Sequence, residues 1–315
     1  MPGNSAYLSV LCPELLEIGR CRRPTLNNRR NQQSPRRPRM WWTDPEETAP
    51  VTAETDQRHV TDGPAFAIAR AARFIARHAP GGIVEPISAG VTVVASTVPI
   101  AIMNGVQVTT AQPDSDALEQ SVQRAATITV PWSMQVIGHP PSQAEYRLAE
   151  ARSMHMTRLS TMTADLAIAA VDSSLPVTEA QLRRVADESD RTGFLSVLGA
   201  VFGGNPAIGA PFVAPTMLAA EGARAYVAAV DGEVVSAGFT TLDDDGWLGL
   251  FAIGTLPAAR RMGISRALTT LMLRDGRANG ARTAVLQSSS MAAPLYAELG
   301  FADSNDDTLY FIDPS

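Results

Sequence analysis

The sequence predicts a mixed α/β (α+β) chain built as two mixed-sheet units in tandem, and two observations predict it. One order of elements runs through residues 60–170 and again through 173–315: antiparallel strands, a helix, a strand, a second helix and a last strand. In the second run an apolar strand ending near Thr255 enters a glycine-bearing loop that opens a helix at Ile264. No residue-level repeat accompanies the shared order, so the duplication rests on the pattern of elements alone.

Ala65 to His78 carries helical spacing, with Phe66, Ile68, Ala72 and Ile75 on one side, and Gly81-Gly82 ends it. Gly90 to Ser96 and Ile100 to Thr110 are β-rich runs bracketing Pro99, with a turn expected at Asn104-Gly105. Asp114 to Ala126 reads as a helix with an aspartate cap, Pro131 to Ile137 as a strand, Gln143 to Ser153 as a helix and Arg158 to Ala167 as a strand.

The second run opens with two predicted helices, Thr178 to Glu188 behind Pro176 and Gly193 to Phe202. Three strands follow, Ala223 to Val230, Glu233 to Thr241 and Trp247 to Thr255, separated by turns at Asp231-Gly232 and Asp243 to Gly246. Ile264 to Gly280 is helical with Leu268, Leu271 and Met272 inward. Arg282 to Gln287 is a strand, Ala292 to Leu299 a short helix stopped by Gly300, and Thr308 to Ile312 a final strand.

Composition narrows the function. All 26 basic residues are arginines, a bias that reads as that of a GC-rich genome. Eight of them precede Met40, against only Glu14 and Glu17; downstream stand 18 basic and 30 acidic residues, a net of −12. A body this acidic repels phosphodiester backbones and anionic membranes, so no nucleic acid is expected on the folded part and no membrane partner. Residues 1–39 read as a basic, disordered head, a nucleic-acid arm, or the product of a start assigned upstream of a true one at Met40. The short apolar stretch from Tyr7 to Leu16 lacks a basic residue ahead of it and fits a signal peptide poorly. No segment reads as a membrane span, and a cytoplasmic location is expected.

Cys12 and Cys21 both lie in the head, which disfavours a disulfide framework and a cysteine metal site. His59, His78, His139 and His155 have no spacing of a triad or a metal site, and no metal is expected.

The chemistry is concentrated in Phe251-Ala252-Ile253-Gly254-Thr255-Leu256-Pro257-Ala258-Ala259-Arg260-Arg261-Met262-Gly263-Ile264-Ser265. Successive amide donors at such a helix start can ring a pyrophosphate. Gly263 permits close approach of the backbone, a small Ser265 leaves room, and Arg260, Arg261 and Arg266 add positive charge. Alone, the string equally describes an ordinary connection with surface arginines. About thirty residues on comes Leu286 to Phe301, where a strand ends and a short helix bears Tyr296 before Gly300-Phe301.

Together these segments resemble the GNAT family of acetyltransferases, over about Ala223 to Phe301. Arg260, Gly263 and Ser265 match its Q/R-x-x-G-x-G/A loop, and the second segment matches its A-x-x-x-Y-x-x-x-G-F ending. The resemblance implies a complete C-terminal domain over 173–315 that takes acetyl-CoA as co-substrate. It implies that Ile253, Gly254 and Thr255 offer main-chain groups to the pantetheine arm and acetyl carbonyl. By the same resemblance, amides of Arg261, Met262, Gly263, Ile264, Ser265 and Arg266 hold the pyrophosphate, and Tyr296 protonates the leaving thiolate. Tyr296 also reads, without the motif, as a core tyrosine.

Two positions depart from the family pattern: Ser265 replaces Gly or Ala, and Ser289, the residue expected to make a polar contact to the cofactor, stands where asparagine is frequent. The strand Trp247 to Thr255 holds no carboxylate to serve as base, and Asp243, Asp244 and Asp245 read as a solvated hairpin tip.

Residues 60–170 read as a degenerate copy. Thr109 to Asp116 lack the glycine and arginines of the loop and carry two acids, so no CoA is expected there. This layout resembles tandem members of the family, mycothiol synthases among them. The expected activity is acetyl transfer to a primary amine of a small molecule or peptide, by a monomer or homodimer. A CoA-binding sensor or interaction module of the same fold is the alternative.

Overall fold

A computed structural model describes residues 63–169 and 178–314, so the basic head and its Met40 lie outside the described residues. The first helix, α1 (Pro64–His78), has Pro64 in its opening turn, where a missing N–H costs nothing, and buries Ala65, Ile68, Ala72 and Ile75 as their spacing predicts. A strand the sequence reading missed follows, β1 (Ile83–Ser88). Pro86 obscured it, and β1 is an edge strand, the position where proline is tolerated.

Next come β2 (Val91–Ala95) and β3 (Asn104–Val108). The expected turn at Asn104-Gly105 is a correction, since both residues lie inside β3. The Asn104 side chain is fully buried, accepts from the Ser96 amide at 2.9 Å, and donates to the carbonyls of Val98, Ile100 and Pro131 at 2.8–3.0 Å. It organises the preceding loop, and this network outweighs the local turn signal of Asn-Gly. Gly105, at φ +119°, packs so closely on β4 (Ser133–Ile137) that a Cβ would fall 1.9 Å from the Ser133 carbonyl oxygen.

Between β3 and β4 lies α2 (Ser115–Ala125), capped by Asp114, whose carboxylate accepts from the Ala117 amide at 2.8 Å. After β4 come α3 (Gln143–Ala151), opened by a Ser142/Glu145 capping box, and the long strand β5 (His155–Asp165).

The predicted helix Thr178 to Glu188 is a second correction: residues 181–184 form β6 (Gln181–Arg184), antiparallel to β7 (Ala223–Val230). Edge pairing on β7 overrides local helical preference. The true helix, α4 (Glu188–Val201), starts where Asp187 accepts from the Asp190 amide at 2.9 Å. Two 3-10 turns and the short α5 (Pro215–Leu218) lead to β7. Then follow β8 (Glu233–Leu242), β9 (Trp247–Thr255), α6 (Ile264–Ala278), β10 (Thr283–Ser288), α7 (Ala293–Glu298), a two-residue β11 (Ala302–Asp303) and β12 (Thr308–Ile312).

The described strands form one mixed sheet in the order β1-β2-β3-β4-β12-β5-β10-β9-β8-β7-β6, with β11 beside β5. The last strand of the chain therefore lies between β4 and β5, while β5 pairs with β12 through Leu159 and with β10 from Ser160 onward. Over the β7 to β10 part, one face buries Tyr226, Leu248, Leu250 and Leu286 under α6 and α7. The other buries Val227, Ala237 and Phe239 against α4 and the turns after it. Across the sheet, α1 packs Ala67 and Ile68 on Val285. Among the described residues, no helix is long and apolar enough to cross a membrane.

Candidate functional site

The strand that feeds the site is interrupted. Phe251 faces Phe239 and Gly254 faces Ala237, so Ala252 and Ile253 together oppose Gly238 in a β-bulge, with Ala252 at φ +53°. On its other side, β9 pairs in parallel with β10 only from Trp247/Thr283 to Gly249/Val285. Beyond Gly249 the two strands separate, while β10 continues along β5 to Ser288. Ile253, Gly254 and Thr255 thus lie where β9 has left β10. The end of β9 is pinned from β8: Ser236 Oγ donates to the Gly254 carbonyl at 2.8 Å and lies 2.8 Å from Thr255 Oγ1. The only sequence trace of this bulge is Gly238 inside an otherwise regular strand.

The loop then turns through a short 3-10 segment (Pro257–Ala259), and Arg260 Nε donates back to the Thr255 carbonyl at 3.2 Å. Arg261 has φ +65° and Gly263 φ +74°. Gly263 is the N-cap of α6, with no side chain satisfying the first turn. The first helical bond runs from the Ala267 amide to the Gly263 carbonyl, so the amides ahead of it have no intrahelical acceptor. A Cβ on Gly263 would meet nothing within 4 Å. Open space, unsatisfied donors and the positive end of a helix coincide here, and these residues fit a diphosphate.

The side chains around this opening differ in their freedom. Arg260, Arg261 and Met262 are exposed, Ile264 is buried as the anchor of the first turn, and Ser265 is half-buried. The Ser265 carbonyl accepts from Thr269 Oγ1 at 2.8 Å. Arg266 forms an ion pair with Glu298 on α7. The Ser289 carbonyl receives the amides of Ala292 and Ala293, at 3.0 Å each, and so shapes the entry to α7.

Tyr296 is carried inward by α7, packed edge-on against Phe301 with centroids 5.8 Å apart. Burial pushes its pKa up to about 12, so the phenol keeps its proton at neutral pH. On β10, Gln287 Oε1 accepts from the Tyr310 hydroxyl of β12 at 2.8 Å, while Gln287 Nε2 is buried without a partner. Sequence reasoning did not single out Gln287, because its partner comes from a strand whose placement was not predicted. Asp243 is tied to α1 by Arg70, at 3.0 Å, and receives the Trp247 amide at 2.9 Å; it is a structural tie of the hairpin.

Comparison with known proteins bears on the family and the fold. Residues 210–310 match the model of the acetyltransferase (GNAT) domain. A mycothiol acetyltransferase of Streptomyces avermitilis is 33% identical over 89 residues, which are 27% of this chain and 29% of that protein. The match thus spans less than a third of that relative. Among solved structures, a GCN5-related N-acetyltransferase from Kribbella flavida superposes with a TM-score of 0.58 at 18% identity, covering 81% of this chain and 97% of the other. A conserved protein of unknown function from Staphylococcus epidermidis gives 0.55 at 11% identity, covering 74% and 94%. These likenesses show the mixed α/β fold. Residues 210–310 thus carry the similarity to the GNAT acetyltransferase domain, and the solved structures share its fold.

Proposed function

We propose that the chain is an acetyl-CoA-dependent N-acetyltransferase acting on a primary amine of a small molecule or peptide by direct attack. The observation that carries this reading is the uncapped start of α6 at Gly263, open to solvent and flanked by Arg260 and Arg261. In this reading the amides of residues 261–266 hold the pyrophosphate, and Ile253 to Thr255 take the pantetheine arm. The incoming amine nitrogen bonds to the acetyl carbon as the carbon–sulfur bond breaks. Tyr296 gives its proton toward the departing sulfur, and the amine's surplus proton passes to water.

The region before residue 170 is proposed as a degenerate copy that walls or supports this site. Its corresponding helix start supports that role, since the Asp114 carboxylate already accepts from the Ala117 amide in the first turn of α2. An anion finds there a negative charge where Gly263 offers a vacancy.

A second reading, a CoA-binding sensor, is favoured by one feature: β9 has no carboxylate for a base. Two measurements decide. Calorimetry with CoA should show saturable binding, and no affinity would overturn both readings. Thiol release from acetyl-CoA with a panel of amines should follow for the enzyme, and binding without release would leave the sensor.

A further inference from the structure

A second cleft, of about 730 Å³, opens at the far end of α6, between the last turn of that helix, the β8–β9 turn and α1. The helix runs 15 residues, so this cleft lies about 20 Å along its axis from Gly263. Of the five arginines in its lining, Arg282 donates to the Asp245 carbonyl at 2.7 Å and the other four decide its character.

Arg70, Arg73 and Arg77 occur at spacings of three and four on α1, which brings them onto one stripe. Like charges at those spacings destabilise a helix unless something opposes them. Arg70 is opposed, by Asp243 at 3.0 Å. Arg73 donates through Nε to the neutral Gln107 Oε1 at 2.6 Å, and Arg224, on β7, donates to the Ala223 carbonyl at 2.6 Å. Among the described residues, no carboxylate stands within ion-pair distance of Arg73, Arg77 or Arg224. Burial and the flanking charges of Arg77 and Arg70 pull the Arg73 guanidinium below its usual pKa. A cation drawn partly out of water beside other cations is relieved by an anion placed among them.

We propose that this cleft is a binding site for a small ligand bearing a carboxylate or phosphate, held by Arg73, Arg77 and Arg224. Guanidinium forks match both groups in bidentate geometry. Glu221, Asp243, Asp244 and Asp275 line the same cleft, Asp243 paired with Arg70 and Asp275 with Arg184, which sets it against polyanions and in favour of a ligand with one anionic end. The site shares no residue with the α6 loop, so it stands or falls apart from the acetyl transfer.

The test is calorimetry of the full chain with inorganic phosphate and, separately, with succinate, repeated on Arg77→Ala, Arg73→Gln and the double variant Arg77→Ala/Arg224→Ala. Circular dichroism and a thermal melt report whether each variant keeps its fold. The expected result is saturable binding of at least one probe, weakened by about tenfold or more for each guanidinium lost. Whichever probe binds identifies the anion. Arg77 is exposed, so its single variant keeps the test valid if the others fail to fold. Absence of binding by either probe at millimolar concentration overturns the proposal, and so does unchanged binding in the folded variants.

Discussion

The guanidinium of Arg266, in the first turn of α6, pairs with the carboxylate of Glu298 on α7, so the helix that opens at the loop is tied to the helix that carries Tyr296. Both partners reach solvent, and the pair is worth under about 1 kcal/mol. Glu298→Ala should leave the melting temperature nearly unchanged and tighten CoA binding, because Arg266 is released toward the anion. Arg266→Ala should weaken CoA binding with equally little effect on the melt. Calorimetry and a thermal scan of both variants check this, and an unchanged affinity in each removes Arg266 from the anion site.

Tyr296→Phe retains the packing against Phe301 and deletes the proton. Turnover should fall roughly ten- to a thousand-fold, the range for loss of one positioned acid, with CoA affinity nearly constant. Steady-state kinetics beside a CoA titration separate the two effects.

Two glycines with positive φ should respond differently to alanine. At Gly263 the new Cβ meets open space, so the fold bears only the left-handed strain of about 1–2 kcal/mol while the methyl crowds the anion's approach. At Gly105 the Cβ strikes the backbone of Ser133, which has no flexible end to give way. Gly263→Ala should stay folded and lose CoA affinity, and Gly105→Ala should lose cooperative unfolding or solubility. Denaturant melts and CoA titrations of the pair test the contrast.

Alkaline stability follows from three buried phenols. Tyr226, Tyr296 and Tyr310 are each pushed from 10.0 up to about 12, chiefly by burial. A raised folded-state pKa means that the folded chain holds its protons longer than the unfolded one. The stability is therefore fully present below pH 10 and is lost as pH rises from 10 through 12, by roughly 3 kcal/mol for each tyrosine. Urea midpoints should be insensitive to these groups below about pH 9.5 and fall steeply above it. A midpoint unmoved at pH 11 would contradict the assignment.

Truncation before Thr308 removes the strand that joins β4 to β5 and takes the buried Tyr310 and Phe311 with it. Deleting one such core aromatic costs about 3–5 kcal/mol, comparable with the stability of a whole domain. The truncated chain should be insoluble or melt without cooperativity, as circular dichroism would report.

The loop around Gly263 was legible because its signals are local: an apolar strand, a glycine, arginines and then helical spacing. Helix α2 and its Asp114 cap were legible for the same reason. Asn104 was misread because its short-range meaning is a turn, whereas its partners lie across a loop and on Pro131. Residues 181–184 were misread as helix because only the neighbouring edge of β7 makes them a strand. The insertion of β12 left no trace in Thr308 to Ile312, since alternation announces a strand without naming its neighbours. The arginine stripe of α1 was visible in the sequence, but the missing carboxylates become apparent only in three dimensions.

The position of β12 also bears on how the polypeptide is born. Until β12 is made the sheet holds a gap, between β4 and β5, that only residues 308–312 fill. At about 5–20 residues per second, a ribosome leaves that gap open for roughly seven to thirty seconds after β5 has been synthesised. Nascent chains of this protein thus carry two unprotected strand edges until residues 308–312 emerge, a burden that falls on the chaperones of the cell that makes it.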